Sequence, residues 1–152
     1  MSSPDVQELL ERAIAVHGAE QVSQVLNELL RATPGQRVLT IVANAGVHQI
    51  PDRYLRGEVY EASRGNWNAT SEAALVGELT KLLEALAAKL RAQSWERVYL
   101  VPTGHPILAL QIKAMVYRIL RLNTVDLYYA RGTYFDIDID QRAVALSTGS
   151  GT

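Results

Sequence analysis

Val98-Tyr-Leu-Val-Pro-Thr-Gly-His-Pro106, followed by an apolar-periodic segment over residues 107–122, decides how this chain folds. A β-branched and aromatic run that halts at Pro-Thr-Gly-His-Pro and resumes at helical spacing reads as a buried strand entering a helix. Gly104 or His105 is the expected N-cap, with Pro106 as the first helical residue, where a missing N–H costs nothing. Such a turn leaves free backbone N–H groups and the positive end of a helix dipole at the carboxyl edge of a sheet, a place where phosphates bind. The hydroxyl of Thr103, a glycine and the imidazole of His105 share it. The same turn is also how an ordinary α/β protein joins strand to helix, so it marks a place without naming a ligand.

Upstream, residues 37–43 (RVLTIVA) form a near-continuous β-branched run, the pattern of a strand covered on both faces. Between these strands the leucines at 75, 79, 82, 83, 86 and 90 recur at helical spacing, predicting a helix over residues 70–92. Residues 44–69 are irregular, with a short helix expected within 54–63. Downstream, residues 125–130 read as a third strand and Arg131-Gly132 as a tight turn into a returning strand. Residues 141–147 are expected as a further edge strand, and 148–152 as a disordered tail. At the other end, Ser3 and Pro4 open a helix that Gly18 breaks, and Thr33-Pro34-Gly35 ends the second of the pair.

Strand, helix, strand, helix, strand implies parallel strands joined by right-handed crossovers. The expected architecture is α/β: a Rossmann-like three-layer sandwich with a mainly parallel sheet, an N-terminal helical pair and a C-terminal antiparallel hairpin. Residues 1–147 are read as one domain, with the helical pair over 1–33.

Composition narrows the function classes. A formal charge of −1 provides no basic field for duplex DNA. The absence of cysteine excludes disulfides and thiolate chemistry and fits a reducing compartment. No apolar run approaches the ~20 residues of a membrane span, and the start of the chain is polar and acidic where a signal peptide is basic and then apolar. Cytoplasmic is the expected location. The helical pair has the outline of a helix-turn-helix, but Asp5, Glu8, Glu11, Glu20 and Glu28 outnumber Arg12 and Arg31, against the basic side chains that contact with phosphates needs.

In parallel sheets, ligands bind outside the carboxyl ends of the strands. Asn44-Ala45-Gly46-Val47-His48, the 102–106 turn and the region of Arg131 are therefore expected to converge, bringing His48 and His105 to one crevice. Neither a nucleoside-triphosphate P-loop nor a G-x-G-x-x-G fingerprint occurs, and no cysteine or close histidine pair offers a zinc site. No cofactor is expected. Asp136, Asp138 and Asp140 alternate along one strand and can be read as Mg²⁺ ligands or as the wet, aggregation-resistant face of an edge strand.

Ala43-Asn-Ala-Gly46, Tyr99-Leu-Val-Pro-Thr-Gly104 leading into a helix, and the Tyr128-Tyr-Ala-Arg-Gly-Thr-Tyr-Phe-Asp136 hairpin resemble the CRISPR-associated Rossmann-fold (CARF) proteins, the related SAVED domains and the small accessory proteins of type III CRISPR systems. The resemblance spans residues 37–136; His105-Pro106 stands where that family has a second glycine and a basic residue. It implies a cyclic oligoadenylate second messenger held at strand-end loops of a homodimer, bound as in a sensor or sponge, or cut as in a ring nuclease. On that reading Asn44, Ala45, Gly46, Thr103, Gly104 and Arg131 bind the ligand, and Arg53, Arg56 or Arg64 closes over it. His48 and His105 supply base and acid for attack of a 2′-hydroxyl on its own phosphate, without metal. Lys113 is a remote candidate. The alternatives are a Mg²⁺-dependent phosphoesterase using the aspartate row, and a non-catalytic structural or adaptor module.

Overall fold

The computed structural model describes residues 5–31, 37–67 and 70–150. The chain divides into two compact units, Met1–Gly35 and Gln36–Thr152. In the first, α1 (Val6–His17) and α2 (Ala19–Arg31) pack on each other and are separated by Gly18 at φ +84°. Asp5 is the N-cap, accepting from the Gln7 amide at 3.4 Å. The expected cap at Ser3 and Pro4, and the turn at Thr33-Pro34-Gly35, lie outside the described residues.

The second unit is α/β and Rossmann-like. Its strands are β1 (Val38–Val42), β2 (Glu58–Glu61), β3 (Arg97–Val101), β4 (Val125–Ala130) and β5 (Thr133–Ile137), in the sheet order β2-β1-β3-β4-β5. β1 runs parallel to both β2 and β3, β3 runs parallel to β4, and only β5 is antiparallel. The three strands expected to be parallel are so.

Two crossover helices, α3 (Glu72–Arg91) and α4 (Pro106–Leu120), cover one face. Ser71 caps α3, accepting from the Ala74 amide at 3.1 Å, while His105 caps α4 with Pro106 in its first turn. Leu82, Leu86 and Leu90 of α3 and Leu108, Ile112 and Val116 of α4 close over Leu39, Ile41, Val98 and Leu100. Each fully buried aliphatic side chain contributes roughly 1.5–3 kcal/mol.

Among the described residues of this unit, no long helix covers the opposite face. The connection from β1 to β2, with a single 3-10 turn at Asp52–Tyr54, lays Tyr54 and Leu55 against Tyr99, Val101 and Leu127. Crossover hand explains the asymmetry. The steps from β2 to β3 and from β3 to β4 move toward β5, and that from β1 to β2 moves the other way, so a constant hand puts its connection on the other face. The sandwich therefore has one helical layer and one irregular layer around this sheet.

Two elements differ from expectation. Residues 58–61 form β2 where a helix was expected; Glu-Val-Tyr-Glu is a four-residue edge strand with too little apolar content to register as one. Residues 141–147 form helix α5 (Gln141–Ser147), not an edge strand. Asp140 caps it, accepting from the Ala143 amide at 3.0 Å, and Gln, Arg, Ala and Leu are good helix formers. Thr148–Ser150 continues as a 3-10 turn in place of the expected disordered tail; residues 151–152 lie outside the described residues. No helix among the described residues is long and apolar enough to cross a membrane.

Candidate functional site

Because β1 and β3 send their following loops to opposite faces, a crevice opens between their carboxyl ends, the point where open α/β sheets bind ligands. Asn44 and Thr103 form its floor. The Asn44 amide donates to Thr103 Oγ1 at 3.0 Å, and that hydroxyl donates to the Asn44 carbonyl at 2.6 Å. Asn44 Nδ2 donates to the Gly65 carbonyl at 2.9 Å, and Ser63 Oγ approaches Asn44 Oδ1 at 3.1 Å while donating to the Ala43 carbonyl at 2.6 Å. Asn44 is thus a buried clamp for three loops, and most of its polar capacity is already engaged.

Gly104 sits directly over this clamp at φ +84°. A Cβ there would lie 2.7 Å from Asn44 Cβ, so both the conformation and the close approach require glycine. Among the described residues, the backbone N–H groups of Gly104 and His105 donate to no protein acceptor. They stand at the start of α4, with the helix dipole behind them.

Two cavities meet at this turn. The larger, about 630 Å³, runs beneath the hairpin and is lined by His48, Gln49, Pro102, Gly104, Tyr129 and Tyr134 among others. The smaller, about 330 Å³, is lined by Asn44, His48, Asn66, Trp67, Gly104 and His105 among others. His48 and Gly104 belong to both. The structure therefore brings His48, His105, Asn44, Thr103 and Gly104 to one crevice edge, as the topology required.

Other expected residues are placed elsewhere. Ala45 is buried, its amide bonded to the Ser63 carbonyl beside a short parallel bridge, and neither it nor Gly46 lines either of these two cavities. Arg131 stands at the hairpin tip in a left-handed conformation, φ +53°, where its neighbour Gly132 does line the larger cavity. Arg56 is held by Asp136 through two hydrogen bonds of 2.8 and 2.9 Å and lies over the Tyr99 ring; Asp136 raises its pKa above the ordinary guanidinium value. Arg64 pairs with Glu61, and Arg53 lies over Tyr54. Lys113 is committed to Thr124 and Asp126, at 2.9 and 2.7 Å.

The aspartate row does not converge. Asp136 pairs with Arg56, Asp138 pairs with Arg97 at 2.9 Å, and Asp140, beyond the end of β5, caps α5. No group of three His, Asp or Glu side chains among the described residues is arranged to hold a metal ion. The Mg²⁺ reading loses its ligand set.

The tyrosines were not singled out from sequence as site residues. The two-residue turn pairs Tyr129 with Tyr134 across β4 and β5, with ring centroids 5.1 Å apart. Tyr54 meets Tyr134 edge-on at 5.0 Å, and its hydroxyl shares a 2.8 Å hydrogen bond with Thr133 Oγ1. The Thr133 bond and then the Tyr134 amide lower the pKa of Tyr54, whereas burial raises that of Tyr134. The signal was present: Tyr-Ala-Arg-Gly-Thr-Tyr with a two-residue turn puts its outer residues directly opposite on one face. No protein-family model matches the chain, and neither a curated protein nor a solved structure is significantly similar to it.

Proposed function

We propose that this protein binds a cyclic oligoadenylate second messenger in the cytoplasm, as a homodimer, in type III CRISPR signalling, and acts by sequestering the ring or by cutting it without metal. The observation that carries the reading is the pair of unpartnered amides at Gly104 and His105, beside His48, with Gly104 lining both cavities and His105 the smaller. Free amides at a helix N-terminus suit a phosphate, and cavities of about 300–1,000 Å³ suit small ligands. A two-fold dimer would present the same crevice twice to a symmetric ring.

Cleavage would proceed by attack of a ribose 2′-oxygen on the adjacent phosphorus, with the bond from phosphorus to the 5′-oxygen breaking. One imidazole, His48 or His105, takes the 2′-proton and the other protonates the departing oxygen, while the Gly104 and His105 amides hold the non-bridging oxygens. No histidine contacts the other in a fixed hydrogen bond, so the substrate itself would bridge them.

Calorimetric titration against cyclic oligoadenylates of several ring sizes tests the reading, with product analysis in the presence of EDTA. The expected result is binding, with any cleavage unaffected by EDTA and lowered about 10²- to 10⁴-fold by His105→Ala or His48→Ala. Binding without cleavage marks a sensor or sponge. Absence of binding to every ring, or sedimentation as a monomer with and without ligand, overturns the messenger model or its symmetric form respectively.

A further inference from the structure

The two cavities differ in volume and share His48 and Gly104, and each has an aromatic residue in its lining. The larger offers Tyr129, 61% exposed, beside its cross-strand partner Tyr134; the smaller offers Trp67. Their common wall consists of His48 and Gly104. Aromatic surface, polar wall, aromatic surface is the chemical order of base, phosphodiester, base.

We propose that the crevice reads a dinucleotide step: one base stacks on Tyr129 in the larger lobe, one lies against Trp67 in the smaller, and the linking phosphate sits at the wall of His48 and Gly104. This rests on the nucleotide reading above and specifies the unit recognised, whatever larger molecule contains it. Two features favour two bases over one. The larger lobe has a polar edge group, the Gln49 amide, for the rim of a base. The smaller has Asn66 beside Trp67 for the same purpose. Stacking on aromatic rings tolerates any base, so discrimination falls to these amides.

Both lobes belong to the Gln36–Thr152 unit. Tyr54 holds Tyr134 through an edge contact and a 3.4 Å hydrogen bond from the Tyr134 amide to the Tyr54 hydroxyl, so one wall of the larger lobe is preformed. Tyr129 packs on Tyr134 yet stays 61% exposed, as does its neighbour Tyr128 in the lining of the same cavity.

The test uses the full chain and three probes: ribose 5-phosphate, adenosine 5′-monophosphate, and adenylyl-(3′→5′)-adenosine with a 2′-O-methyl group that prevents cleavage. Alanine substitution at a stacking ring typically weakens binding about 5- to 150-fold per base, and a second stacked base should add a comparable factor. The dinucleoside phosphate should therefore bind at least about 5-fold tighter than the mononucleotide, and the mononucleotide tighter than the sugar phosphate. Tyr129→Ala should remove most of this gain and Tyr129→Phe should keep it, because the ring and not the hydroxyl does the stacking. Tyr129 is exposed, so neither variant should impair folding, and circular dichroism checks this. Equal affinity for one and two bases, or indifference to Tyr129→Ala, overturns the dinucleotide step. Tight binding of the linear dinucleotide alongside no binding of any cyclic ring overturns the messenger reading and leaves the step standing. No binding of any of these probes or of any cyclic ring overturns both.

Discussion

On one face of the sheet, Leu39, Ile41, Val98 and Leu100 meet the aliphatic stripes of α3 and α4; on the other, Tyr99, Val101 and Leu127 meet a loop and a second layer of tyrosines. Helices close over the first face, where Leu86, Leu108 and Ile112 have no exposed surface and the buried Trp95 indole N–H is left without a partner among the described residues. The second is built from rings whose hydroxyls need partners, and from arginines that lie over those rings. Arg56 and Arg97 both lie over Tyr99, at 4.3 and 5.3 Å from its centroid, and each is tied to an aspartate at or beyond β5. This layer ends in exposed aromatic surface, Tyr129 being 61% exposed at the larger cavity. One face is closed by helices, the other by a loop that leaves a cavity beside it.

The largest expected effect would come from the helical face. Leu86→Ala should destabilise the fold by about 2–5 kcal/mol in urea unfolding, with affinity per folded molecule unchanged. A loss below about 1 kcal/mol would mean that the second face shares the stabilising role. Gly104→Ala tests the seam between the faces. Its positive φ and the approach to Asn44 should cost about 1–3 kcal/mol, and the shifted turn should weaken nucleotide binding as well. Retention of both stability and affinity would break the account of the crevice floor. The smallest effect is expected at the tyrosine face. Asp136→Asn weakens a half-exposed pair with Arg56 and should cost less than about 1 kcal/mol. A loss well above that would show that the arginine ladder, and not the hairpin ladder of β4 and β5, holds the β5 edge in place.

Much of the fold was legible because its signals are local. The run at residues 37–43, the Pro-Thr-Gly-His-Pro turn and the leucine spacing of α3 each declare their element without reference to anything distant. The Arg131-Gly132 turn did the same for the hairpin, since both residues take positive φ. Where local signals were thin, the reading erred. β2 is four residues long, and what makes it a strand is its parallel pairing with β1, a partner separated from it by a long loop. α5 was missed because Asp140 was counted with the alternating aspartates, although its carboxylate caps a helix.

The convergence of His48 and His105 also followed from the sequence, through the order of strands and helices alone. The sequence determined which residues end strands, and parallel strands put those ends together. Only the tertiary structure decided what each end residue does once there. Asn44 and Thr103 carry groups that suit a ligand, but they face each other across the crevice and bond together. Arg56 and Asp136 stand 80 positions apart and find one another only because the connection before β2 lays Arg56 over Tyr99, within reach of the β5 edge. Tyr129 gains a partner at Tyr134 through register, and a cavity through the loop at residues 48–51 that lies over it. Spacing along a chain specifies periodicity and turns; which side chains are already engaged, and which remain free to meet a ligand, depends on contacts between residues far apart in sequence.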